Sequence, residues 1–195
     1  MPSLVRPVIS AGRLARTAQP VLPVDAELEL RPWALGDAAA VVAAYADPGI
    51  QRWHARRVND EAEARGLIEG WRLVWAEESG AAWAVAARGN GQVLGRMSLR
   101  ELSLDEGRAE IGYWTLPAAR GRRVAPRALD AVAAWAFETA GFHRLRLLHS
   151  MENPASCQVA ERCGFEAEGV ERSSVQHEDG WHDMHLHARI NTLMA

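Results

Sequence analysis

Between Leu116 and Leu129 the chain reads LPAARGRRVAPRAL, which puts Arg120, Arg122 and Arg123 within four positions. A strand-like stretch, AEIGYWT, precedes the loop and a helical run follows it. A helix start carries unpaired N–H groups and the positive end of the helix dipole. A loop at that point can aim several backbone donors at one anion, and arginines add charges that pair well with phosphate. The chemistry offered is therefore a phosphate cradle; three solvated arginines on an exposed turn are the alternative. Glu110 lies on the strand just before the loop and alternates onto one face with Gly112 and Trp114. A carboxylate there can take a proton from a reacting group, or simply sit on a solvated strand face. Further on, ENPASCQVAERCGF places Asn153 and Ser156 at the start of a short helix. Both residue types cap helices. Ser156 also shares a helical face with Val159, Ala160 and Cys163, which turns its hydroxyl inward.

The tail HEDGWHDMHLH, with His177, His182, His185 and His187, offers a different chemistry, a zinc site. On a strand, Asp183, His185 and His187 share one face and His182 lies opposite. Three ligands on one face suffice for zinc in principle. The spacing matches no recognised metal pattern, so an ordinary strand with no metal is the expectation.

These residues need elements to position them. ELELRPW, from Glu27 to Trp33, alternates as a first strand, and a short helix follows it. From Asp60 to Glu78, Ala64, Leu67, Ile68, Trp71, Val74 and Trp75 recur at helical spacing. Trp53 and His54 fall in the loop expected between these two helices and are the candidates for contact with a second substrate. AAWAVAAR and QVLGRMSLREL flank GNG, a hairpin signal. RAEIGYWT is the next strand, and the run from Ala125 to Ala140 is a helix closed by Gly141. RLRLLHS, the short helix at Asn153 and a final hairpin around HEDG complete the order βααβββαβαββ. This predicts an α/β (α+β) domain. Its sheet has about seven strands, mostly antiparallel, with one central parallel pair and about four helices. The parallel pair requires a right-handed crossover, which sets the arginine loop at the strand ends, where ligands of such sheets bind.

Composition narrows the function. The chain has 195 residues, 48% of them hydrophobic and 24% charged, enough for one domain with a substantial core. Residues 1–24, with four prolines and three arginines, read as an N-terminal extension or strap, and residues 25–195 as a single domain. A net charge of −3 argues against a nucleic-acid partner. All 22 basic residues are arginine, which excludes a Schiff-base or P-loop lysine. No apolar run reaches the ~18 residues of a membrane span. Cys157 and Cys163 lie on different helical faces and are not expected to pair. Two isolated thiols suit a reducing cytoplasm.

The two segments together, AEIGYWTLPAARGRRVAPRALDAVAAWAFETAGFHRLRL and ENPASCQVAERCGF, resemble the GNAT superfamily of acyl-CoA-dependent N-acyltransferases, in its RimJ/RimL-like branch. The family's loop pattern is Q/R-x-x-G-x-G/A, and its second motif is N-x-x-S-x-x-V/A followed by G-F. The resemblance implies a GNAT fold over roughly Glu27 to Ile190 and transfer of an acetyl group from acetyl-CoA to a primary amine. That amine is a protein N-terminus or a small molecule. A non-catalytic acyl-CoA-binding module is the alternative. Residue by residue it implies Glu110 near the acceptor amine and Ser156 near the leaving thiolate. It implies Trp114, Thr115 and Leu116 as backbone donors to the thioester and pantetheine arm. Arg120, Gly121, Arg122, Arg123, Val124 and Ala125 would surround the pyrophosphate, and Asn153 would bond the CoA arm. A monomer or homodimer is expected. Arg123 departs from the pattern, because that position is usually glycine. A negative φ there is the expectation that keeps its N–H in the cradle.

Overall fold

The computed structural model describes residues 4–192. Among these residues eight strands form one sheet in the order β1-β2-β3-β4-β5-β6-β8-β7. The strands are β1 (Leu22–Pro23), β2 (Leu28–Pro32), β3 (Ala81–Ala87), β4 (Val93–Ser103), β5 (Arg108–Thr115), β6 (Arg144–Ser150), β7 (Glu166–His177) and β8 (Gly180–Ile190). The helices are α1 (Ala38–Ala46), α2 (Pro48–His54), α3 (Glu61–Ala76), α4 (Val124–Trp135) and α5 (Pro154–Arg162). Every neighbouring pair is antiparallel except β5 and β6. This is the expected mixed fold with one strand and one helix more.

The additions have local causes. β1 is two residues long, and Pro20 and Pro23 hide it from any alternation rule. α2 was expected as a loop. Instead Asp47 caps it by accepting from Ile50 N at 3.0 Å, and Pro48 occupies its first position. Trp53 and His54 therefore sit on the last turn of a helix.

Two cores flank the sheet. On one face α4 buries Val124, Ala128, Leu129, Val132 and Ala133, spaced at the helical period, against Met97, Leu99, Ile111, Leu145 and Leu147. The expected extension joins this core through Ile9, Leu14 and Leu22. The indole N–H groups of Trp75 and Trp83 donate to the carbonyls of Thr17 and Pro20 at 2.8 Å. On the other face α1, α2 and α3 cover Trp33, Ala82, Ala84 and Trp114. α4 loosens into a π turn at Ala136–Ala140 and stops at Gly141, whose φ of 89° only glycine adopts without strain.

Candidate active site

The site begins where two strands part. β5 and β6 pair from Arg108↔Arg144 to Ile111↔Leu147 and then separate. β5 stays bound to β4 as far as Thr115, and β6 to β8 as far as Ser150. Each strand thus shows one free edge to a cleft of about 820 Å³. Ile111 through Thr115, Leu147 through Ser150, the α4 start, and residues of α2, α3, β4, α5 and β7 line it.

Pleating decides which backbone groups face the cleft. Gly107 O accepts from His143 N and Arg144 N, so odd-numbered residues of β5 turn their polar groups toward β6. Leu116 N donates to Leu94 O at 2.9 Å, so even-numbered positions turn toward β4. Of the three expected donors, Trp114, Thr115 and Leu116, only Thr115 aims at the gap, and Tyr113 joins it. The one-residue alternation overturns the expectation for the other two. The Tyr113 carbonyl is already engaged, since it accepts from His54 Nε2 at 3.1 Å.

At the head of α4 the N–H groups of Gly121, Arg122, Arg123, Val124 and Ala125 find no partner among the described residues. Gly121 and Arg123 both have positive φ, 75° and 57°. The expectation of negative φ at Arg123 is wrong: the loop holds the glycine-like geometry with an arginine in it. Left-handed backbone costs a non-glycine residue about 1–2 kcal/mol, and glycine returns roughly 0.4–1 kcal/mol of that through unfolded-state entropy. Arg123→Gly is expected to gain about 0.5–1 kcal/mol net, raising the thermal midpoint by about 1–4 °C in a chain of this size. Calorimetry checks this, and a lowered midpoint would show that the Arg123 side chain contributes more than its strain costs.

The three loop arginines have separate fates. Arg122 and Arg123 are exposed and make no ion pair among the described residues. Arg120 is not a free charge. Its guanidinium pairs with Asp47 and donates to Thr115 O at 3.3 Å, while its N–H goes to Pro117 O at 3.2 Å. Arg120 thereby ties the cap of α2 to the end of β5 and is spent as a phosphate ligand.

Glu110 also departs from expectation. Cross-strand register sets it between Arg100 of β4 and Arg146 of β6. It pairs with both, at 2.8 Å for Arg146, and is only 2% exposed. It does not line the cleft, whereas Arg100 does. Buried and held between two guanidinium groups on adjacent strands, it does not reach a substrate in the cleft.

α5 supplies the opposite wall. Asn153 Oδ1 accepts from Ser156 N at 3.2 Å, so the capping role is real and only its amide Nδ2 is left for a ligand. The Tyr113 hydroxyl donates to Ser156 Oγ at 3.0 Å, and both residues line the cleft. Burial pushes the Tyr113 phenol up to about 12, so it stays a donor. With one lone pair occupied by Tyr113, the Ser156 O–H is free to point into the cleft.

The far end is aromatic and cationic. Trp53, His54, Arg56, Trp71, Arg96, Arg100 and His177 line it. Burial, then the charges of Arg96 and Arg100, hold His54 down to about 4, so it is neutral. The Arg96 guanidinium lies 4.7 Å from the Trp71 ring centroid, has no carboxylate partner among the described residues, and is held down to about 10 by burial. Its Nε and the adjacent Trp114 Nε1 are buried without acceptors. His177 is 7% exposed. Its Nδ1 lies 2.9 Å from Arg52 O of α2 and so carries the proton, which leaves the Nε2 lone pair unpartnered. Sequence reading missed Tyr113, Arg96 and Arg100, and it considered His177 only as a zinc ligand, because the partner that frees its Nε2 lies far along the chain.

A family profile described as "Acetyltransferase (GNAT) domain" matches residues 27–166. The chain is 27% identical over 154 residues to the uncharacterized N-acetyltransferase YoaA of Bacillus subtilis, covering 78% of this chain and 86% of that protein. It is 28% identical over 133 residues to the ribosomal-protein-serine acetyltransferase of Escherichia coli, covering 68% and 73% of the two chains. Its fold superposes with a TM-score of 0.80 on RimL, a ribosomal L7/L12 alpha-N-protein acetyltransferase solved with coenzyme A, at 21% identity and over 88% of this chain and 98% of that one. With parted strands facing a donor-rich helix start, and the family profile spanning most of the domain, the chain belongs to the GNAT family of N-acetyltransferases, enzymes that move an acetyl group from acetyl-CoA to an amine.

Proposed function

We propose that this enzyme acetylates an amine that carries an anionic group close by, with the α-amine of a polypeptide bearing an early acidic side chain as its acceptor. Arg96 carries the proposal: a half-buried cation with no carboxylate partner among the described residues, at the wall opposite the CoA end. An unpaired charge in that setting favours an anion supplied by the substrate. The ribosomal-protein relatives support a protein N-terminus over a small amine. They also support a cytoplasmic setting, as do the free thiols Cys157 and Cys163.

In this reading the pyrophosphate rests on the N–H groups of Gly121 to Ala125, with Arg122 and Arg123 beside it. Tyr113 and Thr115 donate to the pantetheine arm and thioester carbonyl from the free edge, and Asn153 Nδ2 adds a donor. Trp53 and His54 wall the acceptor. The cations Arg56, Arg96 and Arg100 lower the pKa of a bound ammonium, from an ordinary α-amine value near ~8. His177 Nε2 takes the amine proton. The amine nitrogen attacks the thioester carbonyl directly, the C–S bond breaks, and the second nitrogen proton passes through the Ser156 hydroxyl to the departing sulfur, which leaves as the CoA thiol. Glu110 is a positioning residue for Arg100.

The test is a thiol-release assay with peptides differing only in whether residues two and three are acidic, neutral or basic. Acidic peptides are expected to react with the lowest KM. Arg96→Met is expected to raise that KM by about 10-fold or more, roughly one lost charged contact, with acetyl-CoA affinity and fold stability retained. Equal rates on basic peptides, or equal loss of acetyl-CoA binding, would overturn the acceptor assignment.

A further inference from the structure

On the α5 side of the sheet, away from the acceptor wall, four potential ligands converge. His149 comes from β6, Cys157 from α5, and His185 and His187 from β8, and one ligand atom of each lies within 4.8 Å of all the others. Strand register brings His149 opposite His185. His185 Nδ1 and His187 Nε2 are 3.2 Å apart, and Cys157 Sγ is 3.8 Å and 3.7 Å from them. A tetrahedral zinc ion with bonds of ~2.0–2.1 Å to nitrogen and ~2.3 Å to sulfur spaces its ligands by roughly 3.3 Å and 3.6 Å. Three of the four side chains already stand at those spacings.

The hydrogen bonds behind these ligands agree. His149 Nδ1 lies 2.8 Å from Ser150 O, and His187 Nδ1 lies 3.3 Å from Phe165 O. In each ring Nδ1–H donates to the carbonyl, which leaves the lone pair on Nε2, the arrangement that fixes metal-binding imidazoles. Burial holds both rings below the ordinary histidine value, which keeps them neutral. His149 supplies an independent observation. It is 6% exposed, and its Nε2 is buried without a hydrogen-bond partner. Without an ion, His185 Nδ1 can donate to His187 Nε2 and the Cys157 thiol to Glu161 at 3.6 Å, but nothing among the described residues satisfies the lone pair of His149.

We propose that His149, Cys157, His185 and His187 form a zinc site that clamps α5 to the sheet. Three imidazoles and one thiolate are a ligand set suited to zinc. Acetyl transfer from a thioester to an amine is chemically complete without a metal, so the ion's part is structural: it fixes the helix that presents Asn153 and Ser156 to the cleft. Asp183, on the same strand, is not a ligand, because its carboxylate accepts from Ser173 N at 2.8 Å.

The full chain, stripped with chelator and desalted, is titrated with zinc chloride and separately with cobalt(II). One equivalent of zinc is expected to bind and to raise the thermal midpoint. Cobalt is expected to give the visible bands of a tetrahedral ion and a near-ultraviolet thiolate band. Cys157→Ser removes the thiolate band, and His185→Ala weakens zinc binding by at least about 10²-fold. Both residues are only half-buried, so the variants are expected to stay folded, with an unchanged far-ultraviolet circular-dichroism spectrum as the check. Substoichiometric zinc, a weak octahedral cobalt spectrum, or affinity unchanged in either variant would overturn the site. None of these results bears on the acetyl-transfer reading.

Discussion

Replacing His177 by Asn lowers kcat by about 10²-fold near neutral pH, the low end for loss of a general base. Asparagine Nδ2 occupies the place of imidazole Nδ1 and preserves the bond to Arg52 O. What disappears is the lone pair at Nε2. The defect shrinks as pH rises, because the acceptor then loses its proton to bulk solvent before it binds. Acetyl-CoA affinity stays at the wild-type value. A loss constant across pH, accompanied by a lower thermal midpoint, would instead mean that His177 only braces β7 against α2. His54 does not share this expectation. It is held down to about 4, and its Nε2–H is committed to the Tyr113 carbonyl.

Ser156→Ala is expected to lower kcat by about 10–10²-fold with a different signature. Ser156 acts on the departing sulfur, so raising the pH does not relieve the loss. Tyr113→Phe removes the hydroxyl that orients Ser156 and produces a smaller fall. The double variant is no worse than Ser156→Ala alone, because the two hydroxyls act as one unit. Tyr113 is pushed up to about 12, so its own titration does not enter a profile between pH 6 and 10. Single-turnover measurements across that range separate the two mutants from His177→Asn. Additive losses, or relief at high pH, would remove the Tyr113–Ser156 pair from the chemistry.

The elements were legible where a local signal fixed them. GNG between alternating runs, Gly141 after the long helix, and the Asn153–Pro154 start of α5 all depend on neighbours a few residues away. The Asp47–Pro48 start of α2 carried an equally local signal, although the sequence reading places Trp53 and His54 in a loop. The site was legible only in part. A glycine–arginine loop at a helix start implies an anion cradle from its own chemistry. That Arg120 is diverted depends on Asp47, 73 residues away. The fate of Glu110 depends on register, which sets arginines opposite it on both neighbouring strands. Which of Trp114, Thr115 and Leu116 faces the cleft depends on pleat parity, revealed only by where Gly107 O and Leu116 N are bonded. The lone pair of His177 emerges only when the Arg52 carbonyl, 125 residues away, occupies its other ring nitrogen.

The central claim is that acetyl-CoA and the amine occupy one cleft together and react directly. The initial velocity of thiol release, measured over a grid of acetyl-CoA and acidic-peptide concentrations, tests it most directly. Double-reciprocal lines are expected to intersect, with no thiol released when peptide is absent. Parallel lines, with a stoichiometric burst of thiol and an acetylated enzyme recovered before peptide is added, would contradict it.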